Sequence, residues 1–339
     1  MDDKQKALFL KHREDRLFLR YGLGFGILSG LLWALNNLWF ARGYGHIDFT
    51  VFTGFTRPEL VFIVPLVCAA INDMVAAISL VLYNLKRRMC VEILRSLNTR
   101  PGKIICLAAL LGGPVGQFCY ALGIVLAGPA YAIIMIALYP IIGCLLSYFC
   151  LNQPISRRMW VGICFSVAGA VLAGADVPVA QGDYFIWGIA FSFLAAVCWG
   201  VEIVLAIFGM SLIDPHVAIS IREIVSGTVL CLLVVPLVHG LGIMGQILQN
   251  PVVTKYLVLA GVAAGFSYMF WYTANNMVGC ARGTATNTTF VVWGALIGLL
   301  VYGPGFMTWQ LLAGCLLVLF GVVLVSVDPA RFLKEGYDI

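Results

Sequence analysis

Apolar runs of nearly twenty residues recur from one end of this 339-residue chain to the other. A bilayer's hydrocarbon core is about 30 Å thick, and about 20 apolar residues in α-helical form cross it. Backbone polar groups in lipid must be satisfied within the protein, so such runs fold as helices. Composition agrees: 61% of residues are hydrophobic and 11% charged, where soluble domains are about one-quarter charged. Ten spans are expected, at 22–41, 50–72, 104–126, 129–150, 158–175, 184–208, 216–238, 256–279, 284–302 and 307–327. Between the second and third lies an insertion at 74–103, including "YNLKRRMCVEILRSLNTRPGK". It is expected to extend span two and then form an amphipathic helix on the membrane surface.

The opening "MDDKQKALFLKHREDRLFLR" alternates apolar triplets with charges. It lacks the long apolar core and small-residue cleavage site of a signal peptide. A surface-lying helix and a solvated tail are both open for it. Orientation follows from lysine and arginine placement. With the N-terminus inside, seventeen of the 21 Lys and Arg fall on the cytoplasmic side, against Arg42 and Lys255 outside; Arg57 and Arg222 lie within spans. Both termini are therefore expected in the cytoplasm, in a multi-pass protein of the plasma membrane. The net charge of +5 reflects this topology and gives no reason to expect nucleic acid. The eleven cysteines show no CxxC pair and the four histidines no metal-ligand spacing, so no metal or cofactor is expected. No P-loop occurs, hence no ATP-driven motor. Nor do His, Asp or Ser groups cluster near one surface as a membrane enzyme would require.

The chain repeats itself. "GLLWALNNLWF" in span one resembles "AAVCWGVEIVL" in span six, setting Trp33 over Trp199 and Asn36 over Glu202. "FTRPEL" and "SIREIV" set Arg57 over Arg222, at 24 and 23 residues after those tryptophans. "GQFCYALGIVLAGPAYA" resembles "YMFWYTANNMVGCARGTATN", setting Tyr120 over Tyr272. Five spans thus repeat as five. Five is odd, so the second copy runs oppositely through the membrane. Inverted repeats are the architecture of alternating access.

At this point a family resemblance becomes specific. "YPIIGCLLSYFCLNQPISRRMWVGICFSVAGAVLAG", residues 139–174, carries a mid-helix proline, a short polar turn and a glycine-studded helix. With Trp33, Asn36 and Arg57, it is similar to the drug/metabolite transporter superfamily in its ten-helix form with two EamA-type repeats. The resemblance implies an all-α membrane protein of two inverted five-helix repeats, 21–175 and 184–327, flanked by cytoplasmic tails 1–20 and 328–339. It departs from that pattern at Gln153, where the family usually has glutamate, at "VYGPGF", and in the 74–103 insertion.

Polar stripes show where a path would run. Residues three, four and seven apart share a helix face. Ser29, Trp33, Asn36 and Phe40 line span one; Ser192, Trp199, Glu202 and Ala206 line span six. Gln117 and Tyr120 share a face of span three, and Tyr268, Tyr272 and Asn275 or Asn276 one of span eight. Polar groups in hydrocarbon need partners or water, so these stripes are expected to meet in a central cavity. Interhelical hydrogen bonding without a cavity is the plainer alternative. The substrate-binding candidates are Trp33, Asn36, Tyr120, Trp199, Glu202, Tyr268, Tyr272 and Asn275.

Glu202 is the sharpest of these, a carboxylate near mid-span with no basic neighbour in sequence. Three roles are open: pairing with Arg222 or Arg57, carrying a coupling proton, or binding a cationic substrate. Nearby aromatic residues suit ammonium groups, which ring faces attract, and this resembles the choline-uptake members of the superfamily. The expected function is a monomeric secondary transporter of a small cationic or zwitterionic amine, such as a choline-like compound or an amino acid, with protons as a candidate coupling ion. A non-transporting sensor or accessory protein, and an exporter of neutral or anionic metabolites using Arg57 and Arg222, are the alternatives.

Overall fold

The computed structural model describes residues 3–173 and 184–326; the C-terminal tail expected at 328–339 lies outside them. The described residues are helical between turns, with no strand among them. Helix α1, Asp3–Gly45, runs unbroken for 43 residues, so the N-terminal segment continues directly into the first apolar run. The next expected span starts seven residues later than the hydropathy suggests. Asp48 caps a short 3-10 turn at Phe49–Val51. A capping box between Thr56 and Glu59, with Pro58 in the first turn, then opens α2, Arg57–Lys86. A proline there loses no helical hydrogen bond, because that N–H is unpaired anyway. Two consequences follow. Arg57 and Glu59 stand exposed in the first turn, not two turns inside a span. And Asp73, which falls just beyond the expected end of span two, is buried in the middle of α2.

The 74–103 segment behaves as expected in part: α2 extends through it to Lys86, and α3, Cys90–Leu97, is amphipathic, burying Ile93 and exposing Val91 and Leu94. Helix α4, Arg100–Ala127, contains a π-turn at Leu111–Val115. Pro114 has no N–H to donate to the preceding turn, and the wider turn accommodates it. The fourth expected span is split into α5, Pro129–Ile136, and α6, Tyr139–Cys150; Pro140 sits in the first turn of α6. Then come α7, Arg157–Ala173, and α8, Phe185–Met210. Helix α9, Pro215–Leu237, has a second π-turn at Leu230–Val234, and α10, Leu241–Gln249, is short. The last three are α11, Pro251–Asn287, α12, Phe290–Tyr302, and α13, Trp309–Ser326. Among the described residues, seven helical stretches are long and apolar enough to cross a membrane.

Helix α11 is not straight. Gly279 has φ 81° and ψ 168°, and the chain folds back there, so that the Thr284 hydroxyl reaches Asn275 Oδ1 at 3.4 Å. Nine residues of straight helix would separate them by about 13 Å. Gln153 Oε1 accepts from the Cys280 amide at 3.0 Å, capping the returning segment. An amide oxygen fills that role without the charge of a glutamate. Gly128, between α4 and α5, has the same conformation, with φ 86° and ψ 157°. It lies 151 residues before Gly279, close to the offset that sets Tyr120 over Tyr272.

The helices of the two halves pack in matching pairs. Helix α1 lies along α11, and α8 along α4; α2 also packs on α11, and α9 on α4. The first two helices of each half thus lean on the third helix of the other. The two closing helices, α7 and α13, meet through small residues. A Cβ on Gly162 would come within 2.7 Å of the Gly321 carbonyl oxygen, and one on Gly169 within 2.6 Å of that of Gly314. Backbones approach that closely in membrane interfaces only where side chains are absent.

The Gly279 hairpin makes a direct test. Its dihedrals lie in a region open essentially to glycine, where another residue costs about 1–3 kcal/mol. Gly279→Ala should lower the thermal midpoint of the detergent-solubilised protein. Gly294→Ala, on a helix face with nothing within 4 Å of the added methyl, should leave it nearly unchanged. Equal midpoints for the two variants would mean that the hairpin tolerates an ordinary residue.

Candidate functional site

One guanidinium organises the interior. Asp214 accepts from the His216 amide at 2.8 Å and caps α9, with Pro215 in its first turn. Two turns later Arg222 is 3% exposed. Its Nε donates to Glu202 Oε1 at 2.7 Å and its Nη1 to Glu223 Oε1 at 2.8 Å. Asp73 Oδ2 lies 3.6 Å from Nη1 and also accepts from the Ser226 hydroxyl at 2.6 Å. The guanidinium carbon stands 4.9 Å from the centre of the Tyr268 ring, within cation–π range. Helices α2, α8, α9 and α11 all contribute. Three carboxylates face one arginine, a formal excess of two negative charges if all three are ionised. Isolated charges are not stable in so buried a place. The cluster can therefore hold further positive charge, as protons or as a cation.

The π-turn of α4 makes the room. A Cβ on Gly112 would fall 1.6 Å from Glu202 Oε2, and one on Gly113 2.0 Å from the Ser226 hydroxyl. The Trp199 indole donates to the Gly112 carbonyl at 2.7 Å, satisfying an oxygen on the widened turn. Aromatic rings wall the cluster on both sides. Trp199 meets Tyr120 at 5.8 Å and Tyr139 at 6.3 Å between ring centres. Tyr268 meets Trp33 at 5.1 Å and Trp271 at 6.4 Å, and Trp271 meets Tyr272 at 5.7 Å.

Trp33, Tyr120, Trp199, Glu202, Tyr268 and Tyr272 are thus gathered around one buried cluster. The arrangement is closed: Glu202 is 4% and Tyr272 1% exposed, where an open cavity would leave them wetted. Glu202 is not alone but paired with Arg222, the first of the three roles open for it. Asn36 lies at the margin. Its Nδ2 donates to Asn72 Oδ1 at 2.8 Å and to the Ala260 carbonyl at 2.9 Å, next to Asp73 in sequence. Its neighbour Asn37 points outward and is exposed. Asn275 belongs elsewhere: it donates to the Trp271 carbonyl at 2.8 Å and accepts from Thr284, holding the hairpin. Asn287 donates to the Ser29 hydroxyl at 2.7 Å, tying that hairpin to α1. Asp73 and Glu223 are the members that sequence reasoning missed. An aspartate inside "CAAINDMVAA" was the available signal.

The glycine contact yields a test that needs no substrate. Gly112→Ala drives a methyl into the Glu202 carboxylate, and overpacking of this kind costs about 1–3 kcal/mol. Thermal unfolding should show this loss. The same substitution should cost much less in a Glu202→Ala background, where the carboxylate is gone. Additive effects of the two changes would show that the close approach is not real.

Comparison with known proteins places the chain. The model of the EamA-like transporter family matches twice, over residues 20–175 and 186–327. Protein LicB of Haemophilus influenzae is 25% identical over 284 residues, covering 83% of this chain and 89% of that protein. A protein of known crystal structure is similar over 94% of this chain and 99% of its own, with TM-score 0.68 and 17% identity, which shows a shared fold. Two family matches, one for each half and together spanning most of the chain, settle the membership: this protein belongs to the EamA-like transporter family, whose members are membrane transporters of small molecules.

Proposed function

We propose that this chain is a secondary transporter of a small organic cation or zwitterionic amine, working by alternating access with Glu202 at the binding and coupling site. The observation that carries this reading is the buried excess of carboxylates beside aromatic rings: Asp73, Glu202 and Glu223 around one arginine, against Tyr268. An ammonium group would satisfy both features, the carboxylates by charge and the ring by its quadrupole. Protons meet the same charge demand, so cargo cation and proton compete for one set of oxygens. An anionic cargo fits less well. Arg57 is exposed at the start of α2, and Arg222 is committed to carboxylates.

Topology supports the reading. Ten spans in two inverted halves, with the segments either side of Gly128 and Gly279 counted separately, would put seventeen of 21 Lys and Arg in the cytoplasm. The exchanged packing of first and second helices onto the opposite third helix is what a two-fold axis in the membrane plane produces. Both termini are then cytoplasmic, in a plasma-membrane protein that functions as a monomer. Cysteines introduced at Lys86 or Arg157 should resist impermeant maleimides applied to intact cells. Labelling from outside would overturn this orientation.

Transport itself is tested in proteoliposomes loaded with a pH-sensitive dye. Quaternary amines, amino acids and anionic metabolites are offered in turn. An amine should move protons oppositely to itself, and its binding should weaken as the medium becomes more acidic, because protons occupy the same carboxylates. Glu202→Gln keeps the shape, removes a charge and should abolish coupled flux. Anion-driven flux, or a Glu202→Gln variant with normal coupled flux, would overturn the assignment.

A further inference from the structure

The cation-binding features of the cluster are already in use by the protein itself. Arg222 stacks over the Tyr268 ring and bridges Glu202 and Glu223. These are the contacts that an ammonium cargo would seek. Meanwhile two buried oxygens of the same surroundings lack partners: Glu223 Oε2 and the Tyr272 hydroxyl. Tyr272 is 1% exposed and lies in electrostatic range of Glu202, Arg222 and Glu223. Unpartnered donors and acceptors at this depth are costly and mark a place that another occupant completes.

We infer that the Arg222 guanidinium is a built-in stand-in for the cargo cation, holding the Tyr268–Glu202–Glu223 cradle until a cation displaces it towards Asp73. This rests on the cationic-cargo reading. Asp73 is the available second station. Its Oδ2 is already 3.6 Å from Nη1 and is fixed by Ser226, so a short swing exchanges partners without leaving a buried charge unpaired. The cargo's quaternary or primary ammonium would then take the ring face and the Glu202 oxygen. Glu223 and Tyr272 would have their unpartnered oxygens turned to the same occupant.

The device has a functional consequence. A carrier must return empty to complete net transport. An emptied cradle of carboxylates with no cation would be held back by uncompensated buried charge. Arg222 supplies one unit of that charge from within, and the protons carried back on the remaining carboxylates supply the rest. A carrier lacking it should still exchange one cation for another, since the site is then occupied in both directions, but should fail at net movement.

The experiment uses tetramethylammonium as probe and the full chain in detergent and in proteoliposomes. Arg222→Gln should bind the probe about tenfold more tightly than wild type, because the internal competitor is gone; tenfold is a modest difference in binding free energy. Cation-for-cation exchange should persist while net uptake falls at least about tenfold. Millimolar guanidinium should raise the thermal midpoint of Arg222→Ala well above any rise it gives wild type. If Arg222→Gln does not fold, Arg222→Lys serves. It keeps the charge but loses the planar fork that spans two carboxylates, so its probe affinity should also exceed wild type. Probe binding by wild type that is unchanged or weakened in the Arg222 variants would overturn the stand-in role and leave the cationic reading intact. Failure of every form to bind the probe would overturn both.

Discussion

A single buried guanidinium holds the interior of this protein together. Arg222 links α9 to Glu202 of α8 and Asp73 of α2, and lies over Tyr268 of α11. Taking ions out of water costs several kcal/mol each, and removing one partner of a buried pair costs about 3–5 kcal/mol. Every helix at the centre is therefore constrained by the position of one side chain. The neighbouring features read as accommodations to it. Gly112 and Gly113 admit Glu202 and Ser226, and the π-turn around Pro114 presents the carbonyl that Trp199 takes.

The two halves share a backbone plan but not a chemistry. Gly128 and Gly279 turn the chain at matching places, and the first two helices of each half pack on the third helix of the other. Yet Asn36 stands where the second half has Glu202, and the exposed Arg57 where it has the buried Arg222. The buried charge of the cluster is concentrated in the second half, with Asp73 the one acid contributed to it by the first. Symmetric scaffolds of this kind permit alternating access, while the unequal side chains would give the proposed binding site one set of ligands instead of two.

Much of the buried cluster and its aromatic wall was legible from helical spacing. Trp33 and Asn36, Trp199 and Glu202, and Tyr268 and Tyr272 each recur three or four residues apart, and in a membrane helix such a polar stripe has few places to go but inward. What escaped did so for physical reasons. Asp73 sat one residue beyond a boundary drawn from hydropathy, because Thr56 and Pro58 start α2 seven residues later than the apolar run does. Glu223 stands next to Arg222 in sequence, and adjacent residues diverge on a helix. The arginine side chain is long enough to fold back to it at 2.8 Å. Asn275 shared the right face, but the reversal at Gly279 brought Thr284 to it first.

The sequence by itself determined the class, the repeat and the inward-facing stripes, because lipid leaves the backbone only helices and leaves polar side chains only the interior. Tertiary structure alone decided how the ionisable groups are shared. Which carboxylates meet Arg222 depends on a π-turn, a glycine-made approach and the crossing of four helices from both halves. These are contacts between residues as much as 149 positions apart, from Asp73 to Arg222, and local periodicity carries no record of them.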